Sequence, residues 1–210
     1  MLGWDSSIAR MSKADTKFQL IALDIDGTIR DDTGNVTTFM KDVLNECQNR
    51  GAIVVAATGR TRISAMNYLQ EVPMIEFLAS FQGSLITRCK TDDFLWSTYM
   101  CSDQINRALD YLEEQDIEKV AYSGDQVYVE EMTDWAHSYG LRSGVNIIEV
   151  DDLRSVQENV FRILAVGEAE EIKRIEKEMK NRFSGSLYAT RSLPHFCEIL
   201  NSDAGKDKAL

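Results

Sequence analysis

Proline is almost missing from this chain: Pro73 and Pro194 are the only two in 210 residues. A stiff, proline-rich spacer between separately folded parts is therefore excluded. Long apolar runs are missing as well. The longest, Ala52–Ala57, covers six residues, against the roughly 20 that a membrane-spanning helix needs. Residues 1–16 are polar and of mixed charge, without the apolar stretch of a secretory leader. They are expected to be a flexible tail, with Met11-Ser12-Lys13-Ala14-Asp15 reading as a natural start and residues 1–10 as an upstream extension. The four cysteines, Cys47, Cys89, Cys101 and Cys197, form no Cys-x-x-Cys pair and match no zinc spacing. Reduced thiols in a cytoplasmic protein are the reading they support. Positive charge is in short supply: 23 Lys and Arg face 34 Asp and Glu, for a net charge of −11. Such a chain repels phosphate backbones, and it has no basic patch, so nucleic acid is not an expected partner. Nor is a membrane. His137 and His195, the two histidines, have no partner at ligand spacing and read as ordinary surface or core residues.

What is present is a globular pattern. Phe18–Leu23 and Ala52–Ala57 are short apolar runs without alternation, which suits strands buried on both faces. Between them Phe39, Met40, Val43, Leu44 and Cys47 fall at helical spacing, with Gly51 as a stop. A helix is expected over Arg62–Gln70 and a third strand over Glu76–Phe81. Strand, helix, strand, helix, strand argues for parallel strands joined by crossover helices, lying in the order third, second, first. Beyond residue 83 the pattern changes. Short strands at Ser84–Ile86, Phe94–Tyr99, Phe161–Val166, Leu187–Thr190 and Phe196–Leu200 mix with helices at Asp103–Gln115, Glu131–Tyr139 and Glu170–Phe183. Val120–Ser123 and Gln126–Glu130 flank Gly124-Asp125 as a hairpin. The fold class expected is α/β: a Rossmann-like core with a parallel sheet, plus an inserted α+β module.

Chemistry concentrates at two strand ends. Asp24-Ile25-Asp26-Gly27-Thr28 closes the first strand, and ligands of open parallel sheets bind beyond the carboxyl ends of strands. Two carboxylates two residues apart repel, so one keeps a proton unless a cation sits between them. Such a pair can divide labour between attack or metal binding and proton transfer. Taken alone, Asp-x-Asp also fits an acidic turn capped by its own side chains. Thr58-Gly59-Arg60 closes the second strand. Its hydroxyl and backbone amides could hold a phosphate and its guanidinium an anion. Alone it is equally a solvated loop, but the two together place an acid pair beside a phosphate cradle.

Leu23-Asp24-Ile25-Asp26-Gly27-Thr28 resembles the nucleophile motif of the haloacid-dehalogenase-like superfamily, and Ala57-Thr58-Gly59-Arg60 the second motif as its Cof-type branch writes it. Ser80-Phe81-Gln82-Gly83-Ser84 is similar to the turn entering the cap, with Gln82 where the family has Asn. Glu198-Ile199-Leu200 and Gly205-Lys206-Asp207-Lys208-Ala209-Leu210 resemble the third motif, with Lys206 rather than Lys208 as its lysine.

The resemblance implies a phosphatase that uses magnesium and acts on a small phosphorylated metabolite. In it Asp24 attacks phosphorus and Asp26 acts as acid and then base. Thr58, Gly59, Arg60 and Lys206 bind the substrate phosphate, and Asp24 and Asp26 hold the Mg2+ ion. It also implies a core of residues 17–83 and 191–210 with a cap of 84–190. A fourth motif, Gly-Asp followed by another aspartate, is expected after Lys206 and does not occur before Leu210. This reads as a truncation, leaving the first strand with an uncovered apolar edge and the activity of residues 1–210 alone in doubt. The rival reading is a catalytically impaired phosphate-binding or regulatory module of the same fold. A sugar transferase using Asp-x-Asp for a metal–nucleotide is disfavoured by the pairing of motifs at two strand ends.

Overall fold

The computed structural model describes residues 18–115 and 117–210; the expected tail at 1–16 lies outside them. In chain order the elements are β1 (Leu20–Leu23), α1 (Thr38–Asn49), β2 (Ile53–Ala57), α2 (Arg62–Leu69), β3 (Phe77–Ser80), β4 (Leu85–Arg88) and β5 (Phe94–Ser97). Then come α3 (Ser102–Glu113), β6 (Glu118–Ser123), β7 (Gln126–Val129), α4 (Asp134–Ser143), β8 (Asn146–Glu149), β9 (Val160–Val166), α5 (Ala169–Arg182), β10 (Leu187–Leu193) and β11 (Phe196–Asn201).

Two sheets result, with strand orders β1-β2-β3-β4-β5 and β10-β11-β9-β6-β7-β8. β1, β2 and β3 pair in parallel; β2 and β3 are mostly buried, but Phe18–Leu23, expected to be buried on both faces, is not, because β1 lies at the sheet edge. Thr37 starts α1 and Thr61 starts α2, each side-chain oxygen accepting a backbone N–H of the first turn. Ile25, Leu44, Val54, Ala56, Ala65, Leu69 and Leu78 form the core between these helices and the first sheet. β1 is an edge strand. Leu20 and its register partner Ile53 are both exposed, as are Phe39 and Val43 of α1. The helical stripe expected on α1 therefore buries fully only at Leu44.

The change from one sheet to the other does not fall at 83/84 or 190/191. β4 and β5 pair antiparallel onto β3 and extend the first sheet. β11 pairs with both β10 and β9 and sits inside the second sheet, so the hairpin around Pro194-His195 is not divided between the two. Two further differences fall nearby. α4 runs through Gly140 and ends at Gly144; Ile147 lies where a side chain at 140 would stand, so the helix packs close on β8. β8, not foreseen, pairs in parallel with β7 after the α4 crossover. Among the described residues no helix is long and apolar enough to cross a membrane.

The second sheet is covered on one face by α3 and α5, through Ile105, Leu109, Ile172 and Ile175. On its other face Phe81 and Leu85 of the first sheet's strand ends join Tyr122, Phe161 and Leu164 in one apolar cluster. Phe81 stacks on Phe161 at 4.5 Å between ring centroids and meets Tyr122 edge-on at 6.4 Å. This residue is an aromatic link between the two sheets, next to Tyr99, whose ring lies 4.8 Å from that of Phe161. Phe81→Ala is expected to cost about 3–5 kcal/mol of unfolding free energy in urea denaturation. A loss below about 1 kcal/mol would show that the sheets are joined elsewhere.

Candidate active site

The register of β1 and β2, Leu23 opposite Ala56, brings residues 24 and 58 to neighbouring strand ends. After Leu23 the chain folds into a tight turn. The Ile29 N–H donates to the Asp24 carbonyl at 3.1 Å and the Arg30 N–H to the Ile25 carbonyl at 2.9 Å. Ile25 and Ile29 are buried and anchor the turn. With Ile25 turned inward, Asp24 and Asp26 on either side of it are left half-buried and exposed respectively. Gly27 takes the left-handed φ of +71° that the reversal needs, and the space around it is open.

Each carboxylate has its own cation. Asp24 Oδ1 accepts the Ile25 N–H at 2.8 Å, and Oδ2 lies 3.0 Å from Lys206 Nζ. Arg60 grips Asp26 with two parallel bonds, Nε to Oδ2 at 2.7 Å and Nη2 to Oδ1 at 2.8 Å. Its Nη1 donates to Ser64 Oγ at 3.1 Å. The Tyr68 ring lies under two guanidinium groups, Arg60 at 4.4 Å and Arg30 at 3.7 Å from the centroid. The hydrogen bonds to Asp26 raise the Arg60 pKa above its ordinary value, against the opposing effect of burial. Thus the Arg60 fork faces the acid pair, and its donors are spent on Asp26 and Ser64.

Thr58 is buried, and its hydroxyl accepts the Arg60 N–H at 3.2 Å. Backbone bonds stitch this loop to the end of β3. Thr58 N–H donates to Ala79, Phe81 N–H to Arg60 and Gln82 N–H to Thr58, each at 2.9 Å. From the second sheet Arg162 Nη1 donates to the Gly59 carbonyl at 2.7 Å. Another tie crosses between the sheets nearby: Arg62 of α2 pairs with Asp92 at 2.7 Å and with Asp125 of the β6–β7 turn at 2.5 Å.

Lys206 is carried by a single helical turn in which the Lys208 and Ala209 N–H groups both donate to the Gly205 carbonyl at 3.0 Å. That turn rests on Gly83, where a Cβ would stand 2.5 Å from the Gly205 oxygen and 2.9 Å from Ala209 Cβ. The Lys208 side chain donates to the Ser202 carbonyl instead of meeting Asp24. The six residues singled out in the sequence lie on or beside this one sheet end. Ser64, Tyr68 and Arg162 were not singled out. For Arg162 a signal existed: it is a lone charge in the otherwise apolar run Val160–Val166.

Among the described residues no group of three or more His, Cys, Asp or Glu gathers to hold a metal ion. The Asp24 carboxylate and the Asp26 backbone carbonyl are hard oxygen donors of the kind magnesium takes, so the donor chemistry fits that ion with two protein residues to hold it.

Parallel strands with an aspartate pair at their carboxyl end, a threonine loop on the adjacent strand and a lysine facing the first aspartate define an α/β protein with its chemistry at the sheet end and a second sheet beside it. The chain belongs to the haloacid dehalogenase-like hydrolase family, which it matches over residues 21–210. It is 24% identical over 203 residues to YxeH of Bacillus subtilis, covering 92% of this chain and 74% of that protein. It is 26% identical over 203 residues to the 5-amino-6-(5-phospho-D-ribitylamino)uracil phosphatase YitU of the same organism, covering 91% and 73%. A haloacid dehalogenase-like hydrolase from Bacteroides thetaiotaomicron has the same fold, with a TM-score of 0.76 at 22% identity over 92% of this chain and 74% of that one.

The two turn glycines of the site differ in a testable way. Gly27→Ala strains the backbone alone, whereas Gly83→Ala, at φ +90°, also strikes the turn that carries Lys206. Urea denaturation is expected to show Gly27→Ala costing about 1 kcal/mol, and Gly83→Ala more, at or beyond about 3 kcal/mol. Equal costs would mean that the Lys206 turn is not seated on Gly83.

Proposed function

We propose that this protein is a magnesium-dependent phosphatase that hydrolyses a small phosphorylated metabolite through an aspartyl-phosphate on Asp24. The observation that carries this reading is the opposed pairing at the β1 and β2 ends, Asp24 with Lys206 and Asp26 with Arg60. The phosphatase name of the relative YitU supports it. The compartment proposed is the cytoplasm, which suits four cysteines that are all unpaired.

In the first step an Asp24 oxygen attacks phosphorus, the bond from phosphorus to the ester oxygen breaks, and Asp26 gives its proton to the departing alkoxide. In the second, Asp26 takes a proton from water as that water's oxygen attacks the phosphorus. Inorganic phosphate leaves and Asp24 is restored. Lys206 screens the approach of an anionic substrate to an anionic nucleophile, and Thr58 offers its hydroxyl proton to a phosphate oxygen. The Arg60 fork occupies both Asp26 oxygens, so proton transfer there requires Arg60 to yield at least one. The substrate phosphate is the anion that competes for the guanidinium, which gives Arg60 its place in phosphate binding. The Asp24 carboxylate and the Asp26 backbone carbonyl would hold magnesium. When bound, it supplies charge neutralisation on the transferring phosphoryl group.

The second reading, a phosphate-binding module with little turnover, is favoured by one feature: among the described residues only the Asp24 carboxylate and the Asp26 backbone carbonyl are placed to hold the ion. Magnesium wants six oxygens in near-octahedral order. A magnesium titration of residues 1–210 is therefore expected to show weak, millimolar binding; tight saturation would mean that another residue completes the shell. With p-nitrophenyl phosphate, Asp24→Asn is expected to abolish turnover and Asp26→Asn to lose about 10²–10⁴-fold. Near-parental activity of Asp24→Asn would sink the assignment.

A further inference from the structure

Arg162 lies in β9, a strand whose seven residues are all buried. A charge there costs heavily unless it is paired. Its partner is Glu198 of β11, which sits diagonally across the strand pair, Glu198 opposite Leu164 and Leu200 opposite Arg162. Arg162 Nη1 lies 2.7 Å from Glu198 Oε2, and the side chains are only 5% and 3% exposed. Burial opposes the Arg162 charge, but Glu198 and the neighbouring tyrosines raise its pKa well above the ordinary value. Arg162 Nε finds no hydrogen-bond partner, and the guanidinium carbon lies over the Tyr122 ring, 3.9 Å from its centroid. An apolar pair of the same size would pack here at no greater cost, since buried ion pairs are often neutral or worse for stability.

The pair's contacts explain what it can do. The same Arg162 Nη1 that meets Glu198 donates to the Gly59 carbonyl at 2.7 Å. The other Glu198 oxygen, Oε1, accepts from Gln82 Nε2 at 3.2 Å. Gln82 in turn gives its backbone N–H to Thr58. The ring closes over Gly59 with no space left: a Cβ there would stand 2.4 Å from Gln82 Nε2 and 3.2 Å from Glu198 Oε1. Gln82 itself has a φ of +54°, a conformation that glutamine does not favour. Its long amide repays that strain by reaching Glu198.

We propose that Arg162, Glu198 and Gln82 are positioning residues through which the second sheet holds the Thr58–Arg60 loop in its phosphate-binding shape. The proposal rests on the phosphatase reading for the word phosphate, but the holding of the loop is a separate claim with its own readout. None of the three touches the reacting atoms.

Two variants test it. Gln82→Gly relieves a left-handed residue, so stability should not fall, while the amide bond to Glu198 is lost. Arg162→Met with Glu198→Gln removes both buried charges together and avoids stranding one. In each, hydrogen exchange of the 58–60 amides is expected to rise about tenfold. The dissociation constant for inorganic phosphate, by titration calorimetry, is expected to weaken about tenfold, with circular dichroism unchanged. Exchange at 58–60 within twofold of the parent in folded Gln82→Gly overturns the proposal, whatever the double variant does. If the unaltered chain binds no phosphate, the phosphatase reading fails, and the exchange measurement still decides whether the second sheet holds the loop.

Discussion

Two carboxylates on one short turn repel each other, and the fold is arranged to answer that repulsion. Asp24 and Asp26 flank the buried Ile25, so they cannot move apart without unseating the turn. The cations that compensate them come from different parts of the chain. Arg60 follows the adjacent strand β2, and Lys206 arrives from beyond the whole second sheet. For both to meet the aspartates, β1 and β2 must be parallel neighbours, and the turn at 205–209 must seat on Gly83 at the end of β3. The parallel sheet, the glycine turns and the return of the chain after β11 all serve this one electrostatic requirement.

The second sheet takes part in that arrangement. Phe81 buries its ring among Tyr122 and Phe161, so the end of β3 is packed into the other sheet's apolar face. Arg162 and Glu198 add a polar contact in the same place, against the Gly59 carbonyl and the Gln82 amide. The loop carrying Thr58 and Arg60 is therefore fixed from two sides: by backbone bonds to the first sheet and by side chains of the second. An arrangement of that kind makes the shape of the loop depend on how the second sheet sits. Arg62, bridging Asp92 and Asp125, strengthens the same dependence from the exposed side.

The sequence shows local features well and partners poorly. The parallel strands and their order were readable because apolar runs such as Ala52–Ala57 lack alternation and end on residues that carry chemistry. Membership of the outer strands was not. Leu85–Arg88 is as consistent with one sheet as with the other, and pairing is a long-range property. The helix expected over Glu131–Tyr139 stopped short of Gly140 because glycine often ends a helix; here α4 continues through it, with the tip of Ile147 packed close against that position. At the site, the residue types at 24 and 26 pointed to an acid pair and those at 58–60 to a phosphate cradle, while Lys206 came only from the resemblance to the family's third motif. That Arg60 turns to Asp26, with Tyr68 beneath it, depends on side-chain geometry no spacing encodes. Arg162 was the exception, a visible anomaly in a buried strand whose partner, Glu198, lies 36 residues away in the chain.

The central claim is covalent attack by Asp24, and borohydride trapping tests it most directly. The protein is incubated with magnesium and a phosphate ester, quenched with borohydride, and its peptides are read by mass spectrometry. An acyl phosphate on Asp24 should be reduced there to homoserine, in amounts that depend on the ester. Ester hydrolysis with Asp24 left unreduced, or with the reduced residue found at Asp26, would contradict the account.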